Sequence, residues 1–524
     1  MSVKVNDELG YFFQTRKGLR QGDPLSPVLF NIIADMLAVL IERSKSLEYF
    51  GGLVPHLVEG GLSILQYADD TILFLEDDLV KANNLKQVLW AFENLSGLKI
   101  NFHKSELFCF GKTKEKTNDY VSLFGCREGT MPFKYLGIPM SHRKISRNNW
   151  GDIEERFQKK LSSWKGKVLS FGGRLVLINS VLSSLPMCLM SFFKLPKGVL
   201  KKLDYYRSRF FLQCDGHKKK YRLTKWSILS TPKSIGGLGI LDLAVQNRCL
   251  LSKWLFKLLN EKGLWQDIPR KKYLQNKTLS QVEKKRGDSQ FWNGLMEVKD
   301  HFLARGRFVV HSGHQVSFWE DLWIGDKPFK LMFPSLYSLV RNKGATVAHV
   351  LSTSPLNVTF RRALVGDNTD KWLRLVGSIL QVQLDDQNDC FSWSLSNKTF
   401  SVQSMYNDIM KDDGVPQQCI TWKVKLPLKI KIFLWYLNKG VILTKDNLVK
   451  RQRKGNTSCS FCDTNETIQH QFFDCHMARM VWNAVSITFG FPPPMNTNSL
   501  FSSWLKSFPF RLRNQILIRA AAIS

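Results

Sequence analysis

The first strong periodic signal lies between Val28 and Ile41, where Val28, Leu29, Ile32, Ile33, Met36, Leu37, Leu40 and Ile41 recur at helical spacing. This predicts a buried helix. A loop rich in Gly and Pro, Lys17 to Pro27, precedes it, with Ser26 as N-cap and Pro27 in the first turn. Ser63 to Gln66 and Thr71 to Leu75 are short apolar runs on either side of Tyr67-Ala68-Asp69-Asp70, which predicts a tight β-hairpin. Helical periodicity returns at Trp150–Lys160, Leu175–Leu185, Gly198–Leu212 and Leu241–Leu259, with Ser170-Phe171-Gly172-Gly173-Arg174 separating the first two. Gly236, Gly237 and Gly239 do not complete a Gly-x-Gly-x-x-Gly pattern, so they predict a turn rather than a nucleotide loop. Leu356–Asn388 reads as a partly flexible stretch, and the tryptophans at 292, 319, 323, 372 and 393 as fillers of small cores. The alternation of hairpin and helical patterns is that of an α+β chain.

Composition sharpens this picture in one direction. The chain is 44% hydrophobic and 12% aromatic over 524 residues, enough for several cores, and its net charge is +31. Such an excess of cations attracts polyanions, because neutralising phosphates releases condensed counterions. The cations cluster at Lys201-Lys202, Lys218-Lys219-Lys220, Arg270-Lys271-Lys272 and Lys284-Lys285-Arg286. Tyr205, Tyr206, Phe210, Phe211 and Trp226 lie nearby, a mixture suited to gripping strands by charge and stacking. No apolar run is long enough to span a bilayer, and the first ten residues lack a signal peptide's apolar core. A secreted protein is therefore not expected. Ten cysteines in such a chain suit a reducing compartment, the nucleus or cytoplasm.

Two constellations carry chemistry. Asp69 and Asp70 would repel at the tip of a hairpin. A divalent cation relieves that repulsion, and Mg²⁺ prefers carboxylate oxygens together with substrate phosphates. Paired metal ions on such carboxylates support phosphoryl transfer. Near the end, Cys459, Cys462, His470 and Cys475 follow a Cys-x₂-Cys-x₇-His-x₄-Cys spacing. Thiolates with one imidazole favour Zn²⁺, and four protein ligands close the shell, so the predicted role is structural. His476 is the alternative to Cys475 as fourth ligand.

The order of these segments is more specific than any one of them. Gly18-Leu19-Arg20-Gln21-Gly22-Asp23-Pro24-Leu25-Ser26-Pro27, then Tyr67-Ala68-Asp69-Asp70, Gly97-Leu98-Lys99-Ile100-Asn101 and Tyr135-Leu136-Gly137-Ile138-Pro139 resemble successive palm segments of reverse transcriptases. Their wording is similar to the plant LINE-type (non-LTR) retrotransposon enzymes. So are Leu169 to Arg174, Ile178 to Leu182, Pro232 to Ile240 and Phe318 to Trp323. Trp393 to Tyr406, Trp422 to Lys429 and the surroundings of the cysteines resemble the zinc-binding domain at the end of those proteins. The resemblance implies Asp69 and Asp70 as catalytic metal ligands and Tyr67 beside the primer terminus. It implies Gln21 and Gly22 against template and incoming nucleotide. Lys104 would sit near the departing pyrophosphate, although a solvated lysine after a helix reads equally well.

The family's third metal-binding Asp lies on an earlier strand. Here Asp7 is the only Asp ahead of Asp23, and it falls in a hairpin turn. The expectation is a partial palm over 1–140 without fingers or first palm strand. A basic helical thumb-like region over 141–300, a connecting region over 301–399, a zinc-binding domain over 400–490 and a tail over 491–524 follow, with too few residues left for a ribonuclease H domain. Zn²⁺, and Mg²⁺ for the intact polymerase site, are the expected cofactors, and RNA and DNA the expected partners. The expected function is a truncated RNA-directed DNA polymerase, inactive alone. The alternatives are a non-enzymatic nucleic-acid-binding remnant with a structural zinc module, or a zinc module serving protein contacts. Lys445, Lys450, Arg451, Arg453 and Lys454 are its candidate phosphate contacts.

Overall fold

The computed structural model describes residues 2–14, 22–145, 147–163, 168–212, 222–396, 399–412, 420–423 and 426–504, in a mixed architecture of helices and small two-stranded sheets. They form two compact units, the first within 1–134, 140–142 and 262–276, the second within 135–139, 143–261 and 277–524. The Lys218 cluster lies outside the described residues.

The first unit opens with a short hairpin, β1 (Lys4–Val5) against β2 (Glu8–Leu9), whose turn places Asn6 and Asp7 at positive φ. Helix α1 follows over Ser26–Ser46. Its start differs from expectation: Leu25, not Ser26, occupies the N-cap position and makes no side-chain capping bond. Asp23 does that work, its Oδ1 accepting the Leu25 amide at 2.9 Å and its carbonyl the Ser26 amide at 3.1 Å. The helix is also less buried than its periodicity suggests. Ala34, Leu37 and Ile41 are buried, whereas Val28 is 52% and Ile32 64% exposed. The core it shares with α2 (Leu79–Ser96) comprises Leu37, Ile41, Phe50, Leu85, Leu89 and Phe92, with Ile64 and Leu73 of the hairpin packed on it. That core touches only the later turns of α1, which is why the earlier apolar positions face solvent.

Strands β3 (Ile64–Tyr67) and β4 (Asp70–Leu73) pair antiparallel, in the register Ile64↔Leu73 to Tyr67↔Asp70. Gln66 anchors β3 by donating Nε2–H to the Ala34 carbonyl of α1 at 3.3 Å. Ahead of β3, Gly52 and Gly61 are pressed backbone to backbone: a Cβ on Gly52 would lie 2.4 Å from the Gly61 carbonyl carbon. Asp78 caps α2 by accepting the Val80 and Lys81 amides, and Gly97 closes it in the left-handed conformation. Beyond it, β5 (Glu106–Leu107) pairs in parallel with β6 (Arg127–Glu128), with α3 (Thr117–Phe124) between them. The family-like segment at 135–139 is strand, turn and strand: β7 (Phe133–Tyr135), Leu136 and Gly137 at positive φ, then β8 (Ile138–Met140).

The second unit packs α4 (Gly151–Ser163), α5 (Phe171–Leu177), α6 (Met187–Phe192), α7 (Lys197–Leu212), α8 (Trp226–Ser230) and α9 (Leu243–Asn260) around Trp150, Phe157, Ile178, Leu182, Leu203 and Phe211. Ser170 to Arg174 is not a separator. Ser170 caps α5 by accepting the Gly173 amide, and the helix starts at Phe171. Gly172 reads as a breaker but serves contact, since a Cβ there would stand 3.2 Å from Leu428. Arg174 is buried and donates to the carbonyls of Leu169 and Phe211 at 2.8 and 3.3 Å. Buried Asn247 similarly joins α9 to α6, accepting the Leu195 amide and donating to the Met190 and Phe193 carbonyls.

The glycines at 236, 237 and 239 form a turn, as predicted. Gly236 and Gly239 have positive φ, and a Cβ on Gly237 would meet the Thr231 carbonyl oxygen at 2.0 Å. Of the clustered aromatics, Phe210 and Phe211 are core residues and Trp226 lies under the buried Arg207, so they do not offer stacking surfaces. β9 (Gly306–Val309) pairs antiparallel with β10 (Cys390–Trp393) over an aromatic cluster of Phe302, Phe391, Trp393 and Phe400. Trp292, Trp319, Trp323 and Trp393 are buried, and Trp372 is half-buried against Phe360. The stretch read as flexible contains a helix, Asp367–Ile379, whose buried Leu375 and Ile379 hold it down.

Asp321 is buried beneath the Trp319–Trp323 cluster, where Oδ2 accepts the Ser317 amide at 2.7 Å. Desolvation pushes its pKa up to about 6, against the opposing hydrogen bonds of Ser280, Ser317 and Thr278. A folded-state pKa above the unfolded one means the native state binds this proton more tightly. Its stabilising contribution is therefore complete below about pH 4 and lost as pH rises through about 6, a change of about 3 kcal/mol. Denaturant melts of the parent and Asp321→Asn across that window check this. The variant should gain stability relative to the parent as pH rises, and parallel curves would contradict it.

Candidate functional site: a carboxylate hairpin and a Cys3His cluster

The β3–β4 connection is a two-residue turn, Ala68-Asp69, and Ala68 takes φ +52°. A positive φ at the first turn position matches the twist of paired strands but normally calls for glycine. Alanine held there marks a locally strained tip, of the kind that collects at functional sites. Tyr67, Ala68, Asp69 and Asp70 are all exposed, and Tyr67 and Asp70 are cross-strand partners. Asp69 thus closes the turn and Asp70 opens β4, both exposed at the tip of a packed hairpin. Among the described residues no third Asp, Glu, His or Cys joins them within ligand distance.

The other predicted residues of this site are placed unevenly. Gly22 is in a turn at φ +87° before α1, and Gln21 lies outside the described residues. Lys104 is exposed after α2, its amide bonded to Asn101, with no hydrogen bond or ion pair to the hairpin among the described residues. The charge spacing did not reveal Asp23 as the loop's organiser or Ala68 as the strained position. An Asp two residues before the first turn was the available signal for the former.

The second constellation is assembled tightly. The ligand atoms of Cys459, Cys462, His470 and Cys475 all lie within 4.8 Å of one another. Zn–S and Zn–N bonds of about 2.3 and 2.0 Å require donors about 3.5–3.8 Å apart in a tetrahedron, and this set can close to that geometry. A β-like loop carries the first two thiols. Ser458 bridges to Asn465, the Cys459 amide donates to the Thr464 carbonyl at 2.7 Å, and the Phe461 amide points at the Cys459 sulfur at 3.4 Å. The other two ligands frame a wide helical turn, His470–Asp474, after which Cys475 begins the helix His476–Phe489. Cys475 is buried and His476 exposed, so the thiolate is the fourth ligand. Thr464, which sequence reading passed over, has its hydroxyl 2.9 Å from the Cys462 sulfur and 3.2 Å from the imidazole of His470. That hydroxyl is the leading cause of a Cys462 thiol held below the usual range.

Three of the five neighbouring cations predicted to meet phosphates have structural partners. Lys445 is bonded to the Ser458 carbonyl and paired with Glu466, and Lys450 is paired with Asp446. Arg451 donates to the carbonyls of Arg222 and Leu223. Arg453 and Lys454 are exposed.

Comparison with known proteins joins the two constellations. Residues 1–140 match the family described as reverse transcriptase (RNA-dependent DNA polymerase), and residues 400–482 match the family described as zinc-binding in reverse transcriptase. The chain is related to retrotransposon reverse transcriptases. A putative ribonuclease H protein of Arabidopsis thaliana is 30% identical over 365 residues, 66% of this chain and 57% of that protein. An uncharacterized mitochondrial protein of the same plant is 28% identical over 28% of this chain and 95% of its own length. A retrovirus-related Pol polyprotein from a type-2 retrotransposable element of Drosophila melanogaster is 29% identical over 44% of this chain and 21% of that protein. The chain thus spans little more than half the length of the first of these relatives.

The reverse transcriptase zinc-binding region contains all four clustered ligands, which makes Zn²⁺ the metal of this site. Metal analysis of the purified chain should give about one zinc per molecule, and Cys475→Ser should lose most of it and lower the unfolding temperature. Zinc well below one equivalent in the parent, unchanged by the substitution, would refute the site.

Proposed function

We propose that this chain is part of an RNA-directed DNA polymerase of a LINE-type retrotransposon. Asp69 and Asp70 are its metal-binding pair, and the 524 residues as they stand fall short of efficient catalysis. The observation that carries this reading is the exposed Asp69-Asp70 pair where a strained two-residue turn meets β4, inside the segment that matches reverse transcriptases. The proposed organisation is a partial palm (1–140), a basic thumb-like region (141–300), a connecting region (301–399), a zinc-binding domain (400–490) and a tail (491–524).

In this reading RNA is the template and a DNA 3′ end the primer. The 3′-hydroxyl oxygen attacks the α-phosphorus of an incoming nucleotide, and the bond to pyrophosphate breaks. Mg²⁺, when bound, supplies charge neutralisation at the attacking and leaving oxygens. Asp69 and Asp70 would hold it through carboxylate oxygens, and the hydrogen-bonded hairpin fixes the backbone that presents them. Tyr67, exposed on β3, packs beside the primer end. Gln21 and Gly22 approach template and nucleotide, and Lys104 the departing pyrophosphate. Two carboxylates would hold a divalent ion only weakly, and among the described residues no third ligand joins them.

A second reading, nucleic-acid binding without turnover, is favoured by the absence of a third carboxylate at the hairpin among the described residues, together with the charge of +31. Primer extension on an RNA template separates the two. The 524-residue protein should bind a primed template in a salt-dependent way and add no nucleotides above background with Mg²⁺ or Mn²⁺. Template-dependent extension that Asp69→Asn abolishes would overturn the proposed incompleteness.

A further inference from the structure

Between residues 414 and 445 the chain carries six lysines and no Asp or Glu. Two cations of the second unit meet at one aromatic residue there. Lys431, in the first turns of the helix Leu428–Asn438, is half-buried and donates Nζ–H to the Trp422 carbonyl at 3.3 Å. Lys233, from a different part of the chain, lies with Nζ 4.9 Å from the centre of the Trp422 ring. Among the described residues neither ammonium has a carboxylate partner. Burial, and then the nearby charge of Lys233, push the Lys431 pKa down.

Lys233 is not a loose surface cation. Its stem crosses Gly239, where a Cβ would stand 3.2 Å from Lys233 Cγ. The turn beneath is fixed by Trp435 Nε1–H donating to the Gly236 carbonyl at 2.8 Å and by Asn179 Nδ2–H donating to that of Gly239 at 2.9 Å. The fold therefore holds two like charges at one residue, Lys233 over the Trp422 ring and the partly desolvated Lys431 at its carbonyl, beside the positive end of a helix that carries no acidic residue in its first turn. The proximity of like charges, the desolvation and the positive helix end are unfavourable alone, and an anion with several acceptor oxygens between the ammoniums relieves all three.

We propose that Lys233 and Lys431, converging on Trp422, form a built phosphate-binding notch for a nucleic-acid backbone. The choice of nucleic acid rests on the function proposed above; the notch itself rests on the side-chain geometry. The notch shares no residue with the carboxylate hairpin or the zinc ligands, and it would contact backbone rather than bases, so it would position a strand without reading it.

The test uses the full 524-residue protein and a labelled RNA–DNA hybrid duplex, with affinity measured by fluorescence anisotropy across a salt series. The expected result for Lys233→Gln/Lys431→Gln is binding about ten-fold weaker at 0.1 M salt, with the slope of log Kd against log salt reduced by about 1–2. Lys159→Gln/Lys160→Gln, exposed on α4, should change both much less. Amine acylation read by mass spectrometry supplies an independent readout on the unmodified protein. The hybrid should protect Lys233 and Lys431 but leave Lys159 reactive. Parent protein that binds while the notch variant behaves like the α4 control, or while both lysines stay reactive, overturns the notch alone. Parent protein that fails to bind the hybrid at low salt overturns the nucleic-acid reading as well.

Discussion

The first unit makes sense around the tip of one hairpin, where Asp69 closes a two-residue turn and Asp70 opens β4, both carboxylates exposed. The β3–β4 ladder, the Gln66 tether to α1 and the shared α1–α2 core hold the backbone that carries Asp69 and Asp70. Ala68 at positive φ is part of the same arrangement, a residue kept in a conformation that glycine would adopt more easily. Such a tip gains most from a divalent cation and a phosphate-bearing substrate. The match of residues 1–140 to reverse transcriptases gives that chemistry its context.

The second unit depends on a different element. The helix Leu428–Asn438 directs Ile432, Trp435 and Tyr436 into the helical core and Leu437 into the core of the zinc module, with Ile430 and Leu434 packed on the latter. It is apolar on both sides, so the zinc module and the helical region share a wall. Loosening the Cys459–Cys475 cluster should therefore be felt in packing beyond the module. The basic residues divide along similar lines. Arg174, Arg207, Lys299 and Arg451 are bound to carbonyls inside the fold, so the net charge overstates the surface available to a polyanion.

Much of this was legible in the residues. The hairpin centred on Asp69, the helices at 151–163, 197–212 and 243–260, and the four zinc donors follow from periodicity and spacing, because each is a local pattern with few ways to form. What escaped was set by distant partners. Gly172 reads as a break until Leu428 arrives to need the space, and Val28 and Ile32 read as core although nothing in the shared core reaches them. Phe210 and Phe211 beside lysines read as stacking surface, yet they fill the helical core. Thr464 was invisible because a threonine carries no ligand signature, and only the folded loop brings its hydroxyl to both Cys462 and His470.

The account's central claim is that the hairpin is a metal site made of two carboxylates and needing more. Titrating Mn²⁺ into the protein and into Asp69→Asn/Asp70→Asn, with bound ion read by electron paramagnetic resonance, tests it most directly. The account predicts weak binding by the parent, with a Kd on the order of 1 mM, that the double substitution removes. Micromolar binding lost in the double variant would show a ligand set already complete, and binding unaffected by the substitution would show that the hairpin holds no metal; either result contradicts it.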